Sequence, residues 1–321
     1  MMKATAKLPG THISTGLSSA RIDLVCRTSS LSGLRAAVSN GADWIGIEYG
    51  GAHLRNRSVE TSLANSAINK AIRLAHDENC KIALCIAATS DPATWAGLRM
   101  VIDHAVSSGI DAIELSDHAL MLYCAIHYPR LSIHYAAPVM PSPDAINLLK
   151  AQFGIRRIAL PRILSLEQVK QLAHGTAVEL EVYGFGNDCA LIDGRRTATI
   201  NLHYQSTGPA AENKCTTDRH AVLYRSDEAP CAGIEDAAND SAYHSGHSLP
   251  SGALGLLPSL VAMGLRAIRI DTCHASATET GTITKIWREA LHCCHDRTDQ
   301  YSIKPSWLRD LDRLGKYTAS H

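Results

Sequence analysis

Short apolar runs and stretches of helical spacing take turns along this chain. The run 22–26 (IDLVC) is followed by a helical pattern over 31–40, which Gly41 stops, and then by a second apolar run at 43–47 (DWIGI). A strand, a helix and a strand joined by such short turns are the unit of a parallel sheet. The alternation continues with apolar runs at 81–87, 112–115, 131–135, 157–160, 177–182 and 266–270, separated by helical spacing at 61–79, 93–108, 118–128, 143–152, 166–174, 256–263 and, after the last run, 278–295. Local chemistry agrees with these boundaries. Pro161 ends a strand because it has no backbone donor, Ser165 stands as a helix cap with Glu167 in the first turn, and Pro143 occupies a first helical turn that tolerates it. Eight strands alternating with helices predict a (β/α)8 TIM-like barrel, an open doubly wound sheet being the alternative.

The alternation fails in one place. From 184 to 255 the chain is rich in Gly, Asn, Asp, Ser, Thr and His without either period, and an irregular stretch of that length is functional or disordered. The expected organisation is therefore an N-terminal extension over 1–20, seven barrel strands over 21–183, the irregular section over 184–255, the final strand and helix over 256–295, and a polar, basic tail over 296–321 anchored by Trp307.

If the barrel closes, the side chains at or just past the strand ends converge on one mouth, the end where such folds carry their chemistry. Those residues are Arg27, Glu48, Asp117, His134, Arg162, Glu181, Tyr183 and Asp271. Gathering that many charges requires that they pair with one another or bind something polar. Both readings stand at this stage.

Composition narrows the class. With 321 residues, 45% of them hydrophobic and 19% charged, the chain buries a sizeable core. Its 31 basic and 31 acidic residues cancel, which gives no general attraction to nucleic acid or to an anionic membrane surface. No run has the length of a signal-peptide core or of a membrane span, so a cytoplasmic protein is expected.

Ten cysteines in that compartment are not a disulfide framework. Cys26, Cys85 and Cys124 lie in apolar strand or helix surroundings and read as small hydrophobes. Cys189, Cys215, Cys231 and Cys273 lie among Gly, Pro and polar residues and are the candidate ligands. A zinc site joining Cys215 or Cys231 to His203, His220, His244 or His247 lacks the paired spacing that fixes tetrahedral geometry. Gly184 and Gly186 are not a dinucleotide fingerprint, because Cys189 stands in place of the third glycine. No Walker loop, zincin motif, nucleophile elbow or other nucleophile and base set has a recognisable spacing.

Several longer segments carry a resemblance. RIALPRILSLEQVKQLA at 157–173 and VELEVYGFGNDC at 178–189, with DLVCRTSSLSGLRAAVSNGADWIGIEYG, MLYCAIHYPRLSIHY and ITKIWREALHCC, resemble the collagenase-like peptidase U family, in particular its UbiU-like branch, over roughly residues 21–307. The resemblance implies a subunit of an oxygen-independent hydroxylation system in ubiquinone biosynthesis, acting on a hydrophobic aromatic quinone precursor with a UbiV-like family member as heterodimer partner. It implies a four-iron, four-sulfur (4Fe-4S) cluster, with Cys189, Cys215 and Cys231 where three of its ligands belong. At the fourth position, after Asp193, Gly194 and Arg195, this chain has Arg196, and Cys273 is the replacement thiolate on offer. His134, Arg162 and Glu181 match family positions and are the expected catalytic residues. Other departures are Arg27, Thr28 and Ser29 in place of Pro-Ala-Gly, and Pro138 in place of a glutamine. A non-catalytic paralogue without its cluster, a peptidase, and an RNA-base hydroxylase remain the alternatives.

Overall fold

The computed structural model describes residues 21–49, 61–186, 190–192, 199–202, 221–224, 252–296 and 298–318. Eight strands form the barrel: β1 (Asp23–Thr28), β2 (Trp44–Tyr49), β3 (Lys81–Ile86), β4 (Ala112–Leu115), β5 (Ser132–Ala136), β6 (Arg157–Ala159), β7 (Glu179–Phe185) and β8 (Ala267–Asp271). Each pairs in parallel with the next, and β8 pairs with β1 from Asp23 opposite Ala267 to Arg27 opposite Asp271, so the sheet closes on itself. Closure removes every exposed sheet edge. The described helices of six residues or more are α1 (Leu31–Ser39), α2 (Thr61–His76), α3 (Trp95–Ser107), α4 (His118–His127), α5 (Pro143–Phe153), α6 (Leu166–Gly175), α7 (Leu257–Ala262), α8 (Ala277–Asp296) and α9 (Pro305–Thr318). All eight expected strands are present, and the open sheet is excluded.

Strand side chains alternate between two environments. Leu24, Ile45, Ile82, Leu84, Ile113, Ile133, Ile158, Leu180 and Ile268 face outward and join the helices in the main core. The opposite parity faces inward, where Val25, Trp44, Ala83, Ala112 and Ala267 make a small apolar cluster of their own. Most of the other inward positions carry charged or polar side chains, and these build the site.

Local signals set the element ends. Ser165 and Gln168 form a reciprocal capping box at the start of α6, and Ser142 caps α5 with Pro143 behind it. At Gly184 the pairing of β7 with β8 slips, since Tyr183 stands opposite Arg269 and Phe185 opposite Ile270. A Cβ on Gly184 would lie 2.6 Å from the Trp287 ring and 2.7 Å from Ile268, so only glycine passes there. Outside the barrel, Ile163–Ser165 pairs with Ala190–Ile192, and Thr199–Leu202 pairs with Ala221–Tyr224.

The C-terminal section departs from its expectation as a polar tail. Residues Pro305–Thr318 fold as a helix whose Trp307, Leu311 and Leu314 are buried against the core. Their i, i+4, i+7 spacing is one helical face, obscured in the sequence by the charges between them. No described helix is long and apolar enough to cross a membrane.

Candidate functional site

The inward charges stack in three levels. At the N-terminal end, Asp23, Trp44, Arg157 and Glu179 are the first residues of their strands. Arg157 Nη2 donates to Asp23 at 2.7 Å and to Glu179 at 2.8 Å, and its guanidinium lies over the Trp44 ring. The His134 ring lies 5.3 Å from that indole. Burial, reinforced by Arg157, lowers the His134 pKa to about 3, so the imidazole is neutral.

The middle level is a clamp. Arg269 donates through Nε to Glu181 and through both terminal nitrogens to Glu114, with Nη1 at 3.0 Å from Oε1. All three are buried, Glu181 at 1% exposure. Burial alone would raise the Glu114 pKa, but Arg269 outweighs it and holds the carboxyl at about 2. This grouping fills the middle of the lumen with paired charge.

The top level opens at the strand C-terminal ends. Arg162 Nη2 donates to Asp271 at 2.8 Å and its guanidinium stacks on the Tyr183 ring at 4.6 Å. Burial would raise the Asp271 pKa, but Arg162 and Arg27 outweigh it and keep the carboxyl ionised. Arg27 pairs with Glu48 at 3.2 Å, and its Nε has no hydrogen-bond partner among the described residues. A Cβ on Gly46 would press on Cys85 Sγ at 3.3 Å while meeting the Arg27 stem at ordinary contact distance. Cys273 Sγ lies 3.9 Å from Glu48, and burial followed by the Asp271 charge pushes its pKa well above the ordinary thiol value.

The predicted site residues are thus distributed along the lumen. Arg162 stands at the mouth, Glu181 in the central clamp and His134 beside the lower level. Tyr183 and Asp271 contact Arg162 and Arg27 pairs with Glu48, whereas Asp117 caps α4 and holds Ser90 through Oδ2 at 2.8 and 2.9 Å. Sequence reasoning missed Glu114, Arg157 and Arg269. The available signal was parity, because each is a charged residue at an inward position of an otherwise apolar strand. Cys26, Cys85 and Cys124 are buried as expected, while Cys189, Cys215, Cys231 and Arg196 lie outside the described residues.

The profile of Peptidase family U32 matches residues 29–320. The chain belongs to peptidase family U32. Among its U32-type relatives, tRNA hydroxylation protein P2 of Bacillus subtilis is 19% identical over 248 residues, which are 77% of this chain and 79% of that protein. The tRNA hydroxylation protein P1 of the same organism is 20% identical over 293 residues, 91% of this chain and 68% of that protein. The collagenase of Porphyromonas gingivalis is 20% identical over 294 residues, 88% of this chain and 68% of that protein.

U32 membership sets two chemical questions at this mouth. The first is proteolysis by a thiol, which needs a lowered pKa and a base. Cys273 has the opposite environment, a protonated thiol facing carboxylates. The second is the 4Fe-4S cluster. A thiolate ligand to an anionic cluster is favoured by positive surroundings, and Cys273 lies against Glu48 and Asp271. Those carboxylates disfavour a thiolate there while Arg27 favours one, and among the described residues no group of three His, Cys, Asp or Glu side chains is placed to hold a metal ion.

Proposed function

We propose that this U32 chain supports oxygen-independent hydroxylation of an aromatic ring, as a UbiU-like subunit acting on a quinone precursor with a UbiV-like second family member. The observation that carries the reading is the platform at the mouth, where the Arg162 guanidinium stacks on Tyr183 and is held from the side by Asp271. A flat face with polar edges receives a planar ring by stacking while its substituents meet charged groups. Two of the relatives named above are hydroxylation proteins, and both are similar over most of this chain.

In this reading Arg162, with Tyr183 and Asp271, positions the ring. Glu181 holds the clamp beneath the mouth, and His134 is a neutral support deeper in the lumen. Redox chemistry needs a cofactor, because side chains do not transfer electrons to an oxygen donor unaided. A 4Fe-4S cluster would supply it, on Cys189, Cys215 and Cys231 with Cys273 as the candidate fourth thiolate.

A second substrate, a tRNA base, is favoured by the names of the same two relatives. The absence of a net positive charge weighs against it, because phosphate contacts rest on Lys and Arg.

The test deletes the gene, grows cells without oxygen, and measures quinones, their unhydroxylated precursors and hydroxylated tRNA nucleosides together. Accumulated precursor that wild type clears and Arg162→Ala does not supports the quinone reading. Normal quinone with missing tRNA hydroxylation moves the substrate to tRNA, and no change in either rejects hydroxylation. Rescue by Cys189→Ala keeps the pathway and removes the cluster, leaving a paralogue that binds without redox chemistry.

A further inference from the structure

Following the strand registers around the barrel, with one residue of rise per strand, puts the inward side chains of Arg27, Cys85, Ala136 and Tyr183 in one layer. Alternate strands supply a layer of four in a filled barrel. Here two of the four are short, and the layer beneath sets Gly46 and Ala159 beside the Glu114 to Arg269 pair. Ala136 stands opposite Ala159 and is half-buried, so a recess opens to the mouth along β5 and β6. β1 lies across an eight-stranded barrel from β5, and Arg27 points over the lumen toward that recess.

Arg27 is 8% exposed and has one ion pair, to Glu48 at 3.2 Å. Its Nε is buried with no hydrogen-bond partner. A buried donor left unmatched by the protein is retained where another molecule satisfies it. The Tyr183 hydroxyl, in the same layer, accepts from Arg269 Nη1 at 3.4 Å, and its own proton has no acceptor among the described residues. The nearby carboxylates are already engaged, Glu48 by Arg27, Asp271 by Arg162, and Glu114 and Glu181 by Arg269. Three arginines face four carboxylates. The recess therefore offers hydrogen-bond donors without surplus positive charge, and an entering anion would lose its hydration with no free cation to pair.

We propose that Arg27 selects the ring by an uncharged oxygen substituent, a phenol hydroxyl or a quinone carbonyl, which accepts from Nε above the clamp, and that it discriminates against rings carrying a carboxylate. This selection rests on the ring stacking proposed above, since Arg162 and Tyr183 hold the plane of the ring while Arg27 meets its edge.

The test titrates the full chain at pH 7 with 2-naphthol, 2-naphthoate and naphthalene, followed by ligand fluorescence. At that pH a phenol keeps its proton and a carboxylic acid has lost it. Wild type is expected to bind 2-naphthol at least about tenfold more tightly than either of the others. Arg27→Met keeps the stem and removes the donor. It is expected to bind 2-naphthol no better than naphthalene, with naphthalene binding unchanged as the sign of an intact mouth. Glu48→Gln frees the Arg27 charge and is expected to strengthen 2-naphthoate binding about tenfold, and it decides alone if Arg27→Met does not fold. Equal binding of 2-naphthol and naphthalene by wild type overturns the proposal, as does a wild-type preference for 2-naphthoate. A preference that survives Arg27→Met assigns the Nε proton to water and overturns it too, and so does Glu48→Gln without a gain for 2-naphthoate. Failure of all three ligands to bind rejects the stacking platform itself, and the proposed function with it.

Discussion

Arg269 shows how much a single side chain controls here, since it neutralises two buried carboxylates at once. Arg269→Met leaves Glu114 without its paired cation and Glu181 with only the longer Arg157 contact at 3.7 Å, and is expected to cost about 3–5 kcal/mol, measured by urea denaturation. Adding Glu114→Gln and Glu181→Gln is expected to recover most of that loss, because the penalty lies in the stranded charges. His134 contributes through pH. Its folded pKa of about 3 lies below its ordinary 6.5, so the unfolded chain binds a proton that the native chain refuses. The native state is thus fully favoured above pH 6.5 and loses stability as pH falls toward 3, by on the order of 5 kcal/mol in total. His134→Gln is expected to flatten that limb in urea midpoints taken across the range. Glu114 acts in a lower window, its stabilisation disappearing between its ordinary 4.5 and about 2.

At the scale of elements, the β7 slip and the last helix carry the sharpest tests. Gly184→Ala drives a methyl into Trp287 and Ile268, and overpacking of that kind is expected to lower stability by about 1–3 kcal/mol in thermal melts. Trp307→Ala removes the anchor of α9 and is expected to cost about 3–5 kcal/mol, with loss of α9 helicity by amide exchange. Most of the barrel elements were legible in the sequence because local rules and tertiary packing agree in them. The Ser165 cap, the Pro161 stop and the apolar runs each point to the element that forms. The α9 helix was not legible, because its three buried residues sit among charges and only docking against α8 shows which face is apolar. The short strand Ile163–Ser165 was missed for a similar reason, since its partner at Ala190–Ile192 lies a full βαβ unit away.

For the whole molecule, strand order fixed which residues point to the mouth but not how deep each lies. Glu181 and Arg162 both match family positions, yet one is clamped in the lumen and the other stacks at the rim. Depth depends on stagger between strands, and stagger leaves no mark in a single strand's sequence. The buried ion pairs have a further consequence, for the folding route. Arg157 is 134 residues from Asp23, and Arg269 is 155 residues from Glu114. A half-built barrel would hold these charges in a forming apolar interior with no counter-ion, so partial structures are penalised until the first and last strands meet. Closure then becomes an all-or-none step of high contact order. Refolding should be slow and single-phased, with fluorescence and circular dichroism tracing the same curve, and a fragment ending before β8 should remain unfolded.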